Sequence, residues 1–339
     1  VPVRCAIVGA SGYTGVELVR LLDAHPDATL THVSAESAAG KPLSASWSGL
    51  LGVDDRLVEP FDVAAIRAAA DVVFLGLPHT VSARYAPALL DAGLTVIDLG
   101  ADFRFRDAAT YERAYGIVHP APELCAEAVY GLVEKNRALL PGARLIAAPG
   151  CYPTATALAA LPLIEAGLVD WLIADCVSGV SGAGRKPGPR NLYCEVQESV
   201  SAYSIAGAHR HRPEIEATLG VPVTFTPHLV PMVRGMVATV HVRPTRPVTL
   251  AALRAAYRER YAPHPLITVR DDAPPATADV RGTARAVVHV ALDEALSVIT
   301  AVCVIDNLGK GASGQAVQAM NVALGLPETA GLPRIPLLP

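Results

Sequence analysis

A chain of 339 residues is long enough for two hydrophobic cores, and at 51% hydrophobic and 18% charged it has the make-up of a folded protein. Formal charge is 28 − 32 = −4 with no long basic block. That argues against nucleic-acid binding, because neutralising phosphates takes concentrated Lys and Arg. No run of about 18 apolar residues occurs, so no membrane-spanning helix is expected.

The opening stretch VPVRCAIVGASG runs directly into an apolar strand and a glycine turn, so no signal peptide is expected ahead of the fold. The six cysteines (Cys5, Cys125, Cys151, Cys176, Cys194 and Cys303) are widely spaced, unlike a disulfide scaffold or a CxxC knuckle. The expectation is a cytoplasmic protein without structural zinc.

Residues 3–8 read as a short buried strand, followed by GASGYTG and a helix with apolar Val16, Leu18, Val19 and Leu22, stopped by Pro26. Further strands are expected at 29–35, 71–78, 95–100 and 144–150, with a helix at 81–93. Strands alternating with helices predict a parallel sheet covered on both faces. After residue 151 comes a helix, expected to break or bend near Pro162. Long strands follow at 171–180, 234–242, 284–292 and 296–306, with an amphipathic helix at 249–262. This second region reads as α+β with a mixed, largely antiparallel sheet. Residues 307–326 read as a turn and a helix that returns to the first domain. The expected division is 1–150 plus 307–339 for dinucleotide binding and 151–306 for catalysis and oligomerisation.

Gly9, Gly12 and Gly15 form GxxGxxG between the first strand and helix. Gly9 suits a tight turn, Gly12 a close backbone approach to a pyrophosphate, and Gly15 close helix–strand packing. Helix N-terminal N–H groups would hold the anion. At the end of the second strand stand Ser34, Ala35 and Glu36. A carboxylate there accepts from an adenosine 2′-hydroxyl and favours NAD, unless Glu36 turns away or a cation such as Lys41 compensates.

Cys151, in PGCYP, sits at a strand-to-helix transition where N-terminal amides favour a thiolate, and Pro153 suits a first helical turn. A nucleophile and a small buried filler are both open readings. The segment AHRHRPEI offers His209 and His211 as proton-transfer groups and Glu214 to orient His211. Arg210 or Arg212 can recognise an anion; two histidines without a third ligand make a poor metal site. The glycine-rich loop at 178–188 exposes donors at Ser181, Gly182 and Gly184, and Arg104 and Arg106 follow a strand end.

Together, GASGYTG, LGADFRF, PGCYPTA, SGVSGAGR, HRHRPEI and NLGKGASGQAVQ resemble the N-acetyl-gamma-glutamyl-phosphate reductases along nearly the whole chain. The resemblance implies a Rossmann-type dinucleotide-binding domain joined to an α+β catalytic domain, as in aspartate-semialdehyde dehydrogenase. It implies NADPH-dependent reduction of an N-acetylglutamyl acyl phosphate to its semialdehyde in arginine synthesis. By motif, Cys151 is the acyl-accepting thiol, His211 the acid/base and Glu214 its support. Gly9, Ser11, Gly12, Tyr13, Thr14, Gly15 and Ser34 would hold the dinucleotide, with Ser181, Gly182, Gly184 and Asn307 at its nicotinamide end. Arg104 and Arg210 are the substrate-anion candidates. A homodimer or homotetramer is implied. Ala35-Glu36 departs from the Ser-Arg pair frequent in the family, which leaves NAD(H) open beside NADP(H). A carrier-bound aminoadipyl-phosphate reductase of lysine synthesis and a non-catalytic nucleotide-binding protein are the alternatives.

Overall fold

The computed structural model describes residues 1–189 and 191–338; Pro339, at the end of the expected first domain, lies outside the described residues. The chain divides into two compact units, Val1–Pro149 with Ala312–Leu332, and Gly150–Gly311 with Pro333–Pro339.

In the first unit six strands form one parallel sheet: β1 (Val3–Val8), β2 (Ala28–Ser34), β3 (Val72–Leu75), β4 (Thr95–Asp98), β5 (Val129–Tyr130) and β6 (Leu145–Ala147), in the order β2-β1-β3-β4-β6-β5. β3 is buried at every position, as a strand covered on both faces must be. Helix Tyr13–Asp23 leads from β1 towards β2, and helices Val63–Ala69 and Ser82–Asp91 flank β3 in the chain. Val8, Val73, Leu75 and Val96 pack against Ile66 and Leu89 on one side of the sheet. The helix Gly314–Ala323 also belongs here, held by Gln315 Nε2 donating to the Gly131 carbonyl at 2.7 Å and Gln318 Nε2 to Glu134 at 3.0 Å.

The second unit carries a seven-stranded mixed sheet: β7 (Leu172–Gly179), β8 (Ser201–Ala202), β9 (Val223–Val230), β10 (Met236–Val242), β11 (Ile267–Val269), β12 (Ala286–Asp293) and β13 (Val298–Ile305). The order is β11-β12-β13-β10-β7-β9-β8; only the β7–β9 and β11–β12 pairs are parallel. Residues 307–311 and 333–338, expected with the first domain, cluster here instead. Asn307 is bonded into the second unit, and the Leu337 N–H donates to the Arg281 carbonyl at 2.9 Å.

The helix Cys151–Glu165 runs through Pro162 without interruption, where the sequence suggested a break or bend. Pro162 has no N–H to return to Leu158, four residues back. That carbonyl is satisfied from outside the helix: the Tyr261 hydroxyl donates to it at 2.5 Å. Tyr257, one turn earlier on the helix Leu250–Tyr261, does the same for the Ala159 carbonyl.

Candidate active site

The first unit presents the glycine turn. Gly9 has φ +97°, and a Cβ there would lie 2.4 Å from the Gly76 carbonyl oxygen, so only glycine fits. Gly15 is equally constrained by packing, its Cβ position being 2.4 Å from the Gly9 carbonyl oxygen and 2.7 Å from the Ala10 Cα. Gly12 differs. Its φ is −83°, acceptable to any residue, and a Cβ would meet only the Gly9 carbonyl oxygen at an ordinary 3.6 Å. Nothing among the described residues demands glycine at 12, the N-cap of the helix Tyr13–Asp23. The turn therefore fits an anion approaching from outside, against N–H groups that have no intrahelical acceptor.

The other candidates in this unit cluster around that turn. The Gly9 and Ala10 N–H groups donate to the Ser34 carbonyl at 2.7 and 3.3 Å, and the Ser34 side chain is fully buried beneath them. Ser11 and Tyr13 are half-buried, Tyr13 with its ring 5.8 Å from that of Trp47, and the Thr14 carbonyl accepts from Ser313 at 2.9 Å. Arg104, expected at a substrate anion, is buried instead among backbone. Its Nε donates to the Ala148 carbonyl at 2.9 Å and Nη2 to the Leu99 carbonyl at 3.1 Å, bracing the chain three residues before Cys151.

In the second unit Cys151 is the first residue of the helix Cys151–Glu165, half-buried, with Gly150 as the extended N-cap. Its chemistry contrasts with that of the other thiols. Burial pushes Cys5 and Cys176 up to about 12 and Cys125 to about 11, well away from thiolate at neutral pH. Cys303 is fully buried; Cys194 is exposed on a four-residue helix. Cys151 combines partial access with a fifteen-residue helix behind it, whose N-terminal amides favour negative charge on the sulfur.

His211 is also the first residue of a helix, His211–Leu219, which packs against the helix Cys151–Glu165. Glu214, in the first turn of the His211 helix and 1% exposed, accepts the Gly150 N–H at 2.8 Å. One carboxylate thus joins the two helix N-termini that carry the thiol and the imidazole. The His211 ring lies 5.9 Å from that of Tyr152, the residue after the cysteine. Arg210, one residue before the helix, is exposed.

His209 occupies the space behind His211. It accepts the His211 N–H on Nδ1 at 3.0 Å, and its ring centroid is 4.9 Å from that of His211. Tyr152, Tyr203 and Phe225 pack edge-on around it. Burial, with Arg210 nearby, lowers His209 to about 4, so it stays neutral and keeps Nδ1 as an acceptor at neutral pH. Sequence spacing offered both histidines as proton carriers; the structure gives His209 a fixed bonding role.

Gly311 is a residue that sequence reasoning missed. A Cβ at 311 would lie 2.8 Å from the Cys151 Cβ and 3.2 Å from Ile305 Cδ1, so glycine leaves the room that the cysteine occupies. Of the residues expected at the nicotinamide end, Ser181 and Asn307 are bonded to each other: Asn307 Nδ2 donates to Ser181 Oγ at 2.8 Å while its Oδ1 accepts the Gly235 N–H at 2.8 Å. Gly182 is exposed, and Gly184 takes φ +81° at the end of that turn.

The family model of the semialdehyde dehydrogenase NAD binding domain matches residues 4–143, and that of the semialdehyde dehydrogenase dimerisation domain matches residues 151–307. The N-acetyl-gamma-glutamyl-phosphate reductase of Geobacter sulfurreducens is 45% identical over 99% of this chain and 99% of its own. That of Halorhodospira halophila is 49% identical over 99% of this chain and all of its own. The chain belongs to the N-acetyl-gamma-glutamyl-phosphate reductase family. The reductase fold also matches aspartate semialdehyde dehydrogenase II of Vibrio cholerae, with TM-score 0.71 at 19% identity over 95% of this chain and 98% of that one. A Candida albicans aspartate semialdehyde dehydrogenase solved with NADP gives 0.68 at 18% over 95% and 98%. At such identities the likeness speaks for the fold alone. No helix among the described residues of this reductase is long and apolar enough to cross a membrane.

Proposed function

We propose that this chain reduces N-acetyl-L-glutamyl 5-phosphate to N-acetyl-L-glutamate 5-semialdehyde, releasing phosphate, in arginine biosynthesis. Its curated relatives carry the name of that reductase along their full length. The observation that carries the chemistry is the Glu214–Gly150 bond, which ties the helix starting at Cys151 to the helix starting at His211.

In this reading the Cys151 thiolate attacks the acyl carbon, the tetrahedral intermediate collapses, and the carbon–oxygen bond to phosphate breaks to leave a thioester on sulfur. Sulfur suits both halves of the reaction, being a strong nucleophile and a good leaving group. NAD(P)H, when bound, would supply a hydride to that thioester carbonyl, which would leave a thiohemiacetal oxyanion on the Cys151 sulfur. His211 protonates or stabilises that oxyanion and takes the proton back as the carbon–sulfur bond breaks, releasing the aldehyde and the thiolate. Glu214 fixes the Gly150 N–H and with it the start of the nucleophile's helix. His209 holds the His211 backbone. Gly9, Gly12 and Gly15, with the first N–H groups of the helix Tyr13–Asp23, would take the pyrophosphate; Ser181, Gly182, Gly184 and Asn307 would border the nicotinamide.

Family resemblance argues for NADP(H), and Glu36 argues for NAD(H). Arg210 is the exposed candidate for the substrate's anionic end, with Arg104 acting through the backbone it braces. The match to a dimerisation domain over 151–307 supports a homodimer or a homotetramer built through the second unit. Six cysteines without a disulfide suit a cytoplasmic location.

The test is phosphate-dependent oxidation of N-acetylglutamate semialdehyde, run with NADP and with NAD, beside carrier-bound aminoadipate semialdehyde. The reading requires turnover of the acetylated glutamate derivative. Turnover of the carrier-bound substrate alone would move the chain to lysine synthesis, and dinucleotide binding without either turnover would leave a non-catalytic protein.

A further inference from the structure

Glu36 is bonded to a side chain from another helix. It opens a short 3-10 turn, Glu36–Ala38, directly after β2, and its Oε1 accepts the Tyr85 hydroxyl at 3.2 Å. The end of β2 lies against the glycine turn, because Gly9 and Ala10 both donate to the Ser34 carbonyl. Tyr85 is itself held: it stands on the helix Ser82–Asp91, with its ring edge-on to Phe61 at 4.4 Å and 60°. We propose that Tyr85 and Glu36 form a ribose-reading pair that makes this chain bind NAD(H) in preference to NADP(H), an inference resting on the dinucleotide-binding reading of the glycine turn.

In a βαβ dinucleotide site the adenosine ribose lies beside the end of the second strand, where a carboxylate accepts from its hydroxyls. With Tyr85 bonded to Oε1, Glu36 keeps one oxygen for the ribose, and swinging aside costs it that hydrogen bond. A 2′-phosphate brings about −1.5 to −2 charges to the same place, against a carboxylate that the Tyr85 hydroxyl draws towards itself. Compensation would need a cation on the carboxylate. Lys41 and Arg84 are the nearby cations, both exposed, and among the described residues neither forms an ion pair with Glu36. The charge of Arg84 reaches the Tyr85 hydroxyl, where it opposes the effect of Glu36.

Titrating the full chain with NADH and with NADPH, without substrate, by nicotinamide fluorescence or calorimetry tests this directly. The expected Kd for NADH is lower by about tenfold or more. Glu36→Gln keeps the side-chain shape and an acceptor for Tyr85 but removes the charge, and should bring the two Kd values close together. Tyr85→Phe keeps the ring on Phe61 and should narrow the ratio by about threefold as Glu36 gains freedom. The ratio is the diagnostic quantity, because partial misfolding weakens both nucleotides alike. NADPH binding as tight as NADH in the wild type overturns the proposal, as does a ratio that neither variant moves. A ratio moved by Glu36→Gln and not by Tyr85→Phe removes Tyr85 from it. Binding of neither nucleotide would instead sink the dinucleotide-site reading, and the preference with it.

Discussion

Glu214 Oε1 accepts the Gly150 N–H at 2.8 Å, across 64 residues of chain. The sequence suggested this carboxylate as a support for His211; the structure shows it fixing the backbone one residue before the cysteine. Removing the carboxylate leaves a buried N–H without its acceptor, a loss of about 1–3 kcal/mol. Glu214→Ala should therefore lower the melting temperature and depress kcat together. Glu214→Gln keeps an acceptor for Gly150 and should recover most of the stability. Comparing melting curves and kcat for the two variants separates the structural role of the side chain from that of its charge.

The glycine turn offers a second test. Gly12→Ala should fold normally, since the backbone angle is ordinary and the added methyl meets only one atom at van der Waals distance. Its cost should fall on dinucleotide affinity, through the methyl that now faces the pyrophosphate. Gly15→Ala should fail earlier, because its Cβ would lie 2.4 Å from the Gly9 carbonyl oxygen and force the helix off the turn. Equal melting temperatures with unequal Kd for the Gly12 variant, against a destabilised Gly15 variant, is the expected pattern.

Acid sensitivity follows from His209. Its folded value, about 4, lies below the ordinary 6.5 because burial disfavours the cation. Between those values the unfolded chain binds a proton that the folded chain does not, so this contribution to stability is present above about pH 6.5 and is lost as pH falls towards 4. The full swing is up to about 3 kcal/mol. His209→Asn keeps a side-chain acceptor near the His211 N–H without titrating, and should flatten the melting-temperature profile between pH 4.5 and 6.5.

Asp98 gives the opposite sign. It ends β4 fully buried, with Oδ1 accepting the Gly100 N–H at 2.7 Å. Burial and the neighbouring Asp102 raise it to about 7. A carboxyl raised in the folded state binds its proton more tightly there than when unfolded. It therefore destabilises as pH rises from about 4 through 7. Asp98→Asn should raise the melting temperature at pH 8 more than at pH 5.

Much of this architecture was legible in the sequence because β1, the glycine turn and its helix are contiguous and strongly patterned. The long strands of the second unit showed themselves as apolar runs. β9 did not, because Pro227 interrupts it and proline normally argues against an interior strand. Its position explains the exception. A residue's N–H and C=O point to the same neighbour within a strand, and the Pro227 carbonyl accepts from Tyr203 on the side of the short β8. The absent N–H therefore faces that side, and the ladder to β7 stays intact. β5, β8 and β11 are too short, at two or three residues, to carry a pattern. Cys151, His211 and Glu214 could be proposed as a set from local motifs. Its bonding could not, nor could the grip of Tyr85 on Glu36 or the space left by Gly311, since each joins residues far apart in the chain.

The central claim is a covalent acyl group on Cys151. Mixing the protein with N-acetylglutamyl phosphate in the absence of any dinucleotide, then quenching and digesting, should yield a hydroxylamine-labile acyl adduct on the peptide carrying residue 151. Cys151→Ser should give no such thioester and lose turnover by about a thousandfold or more. Turnover that proceeds without that adduct, or a serine variant working near the wild-type rate, would contradict the account.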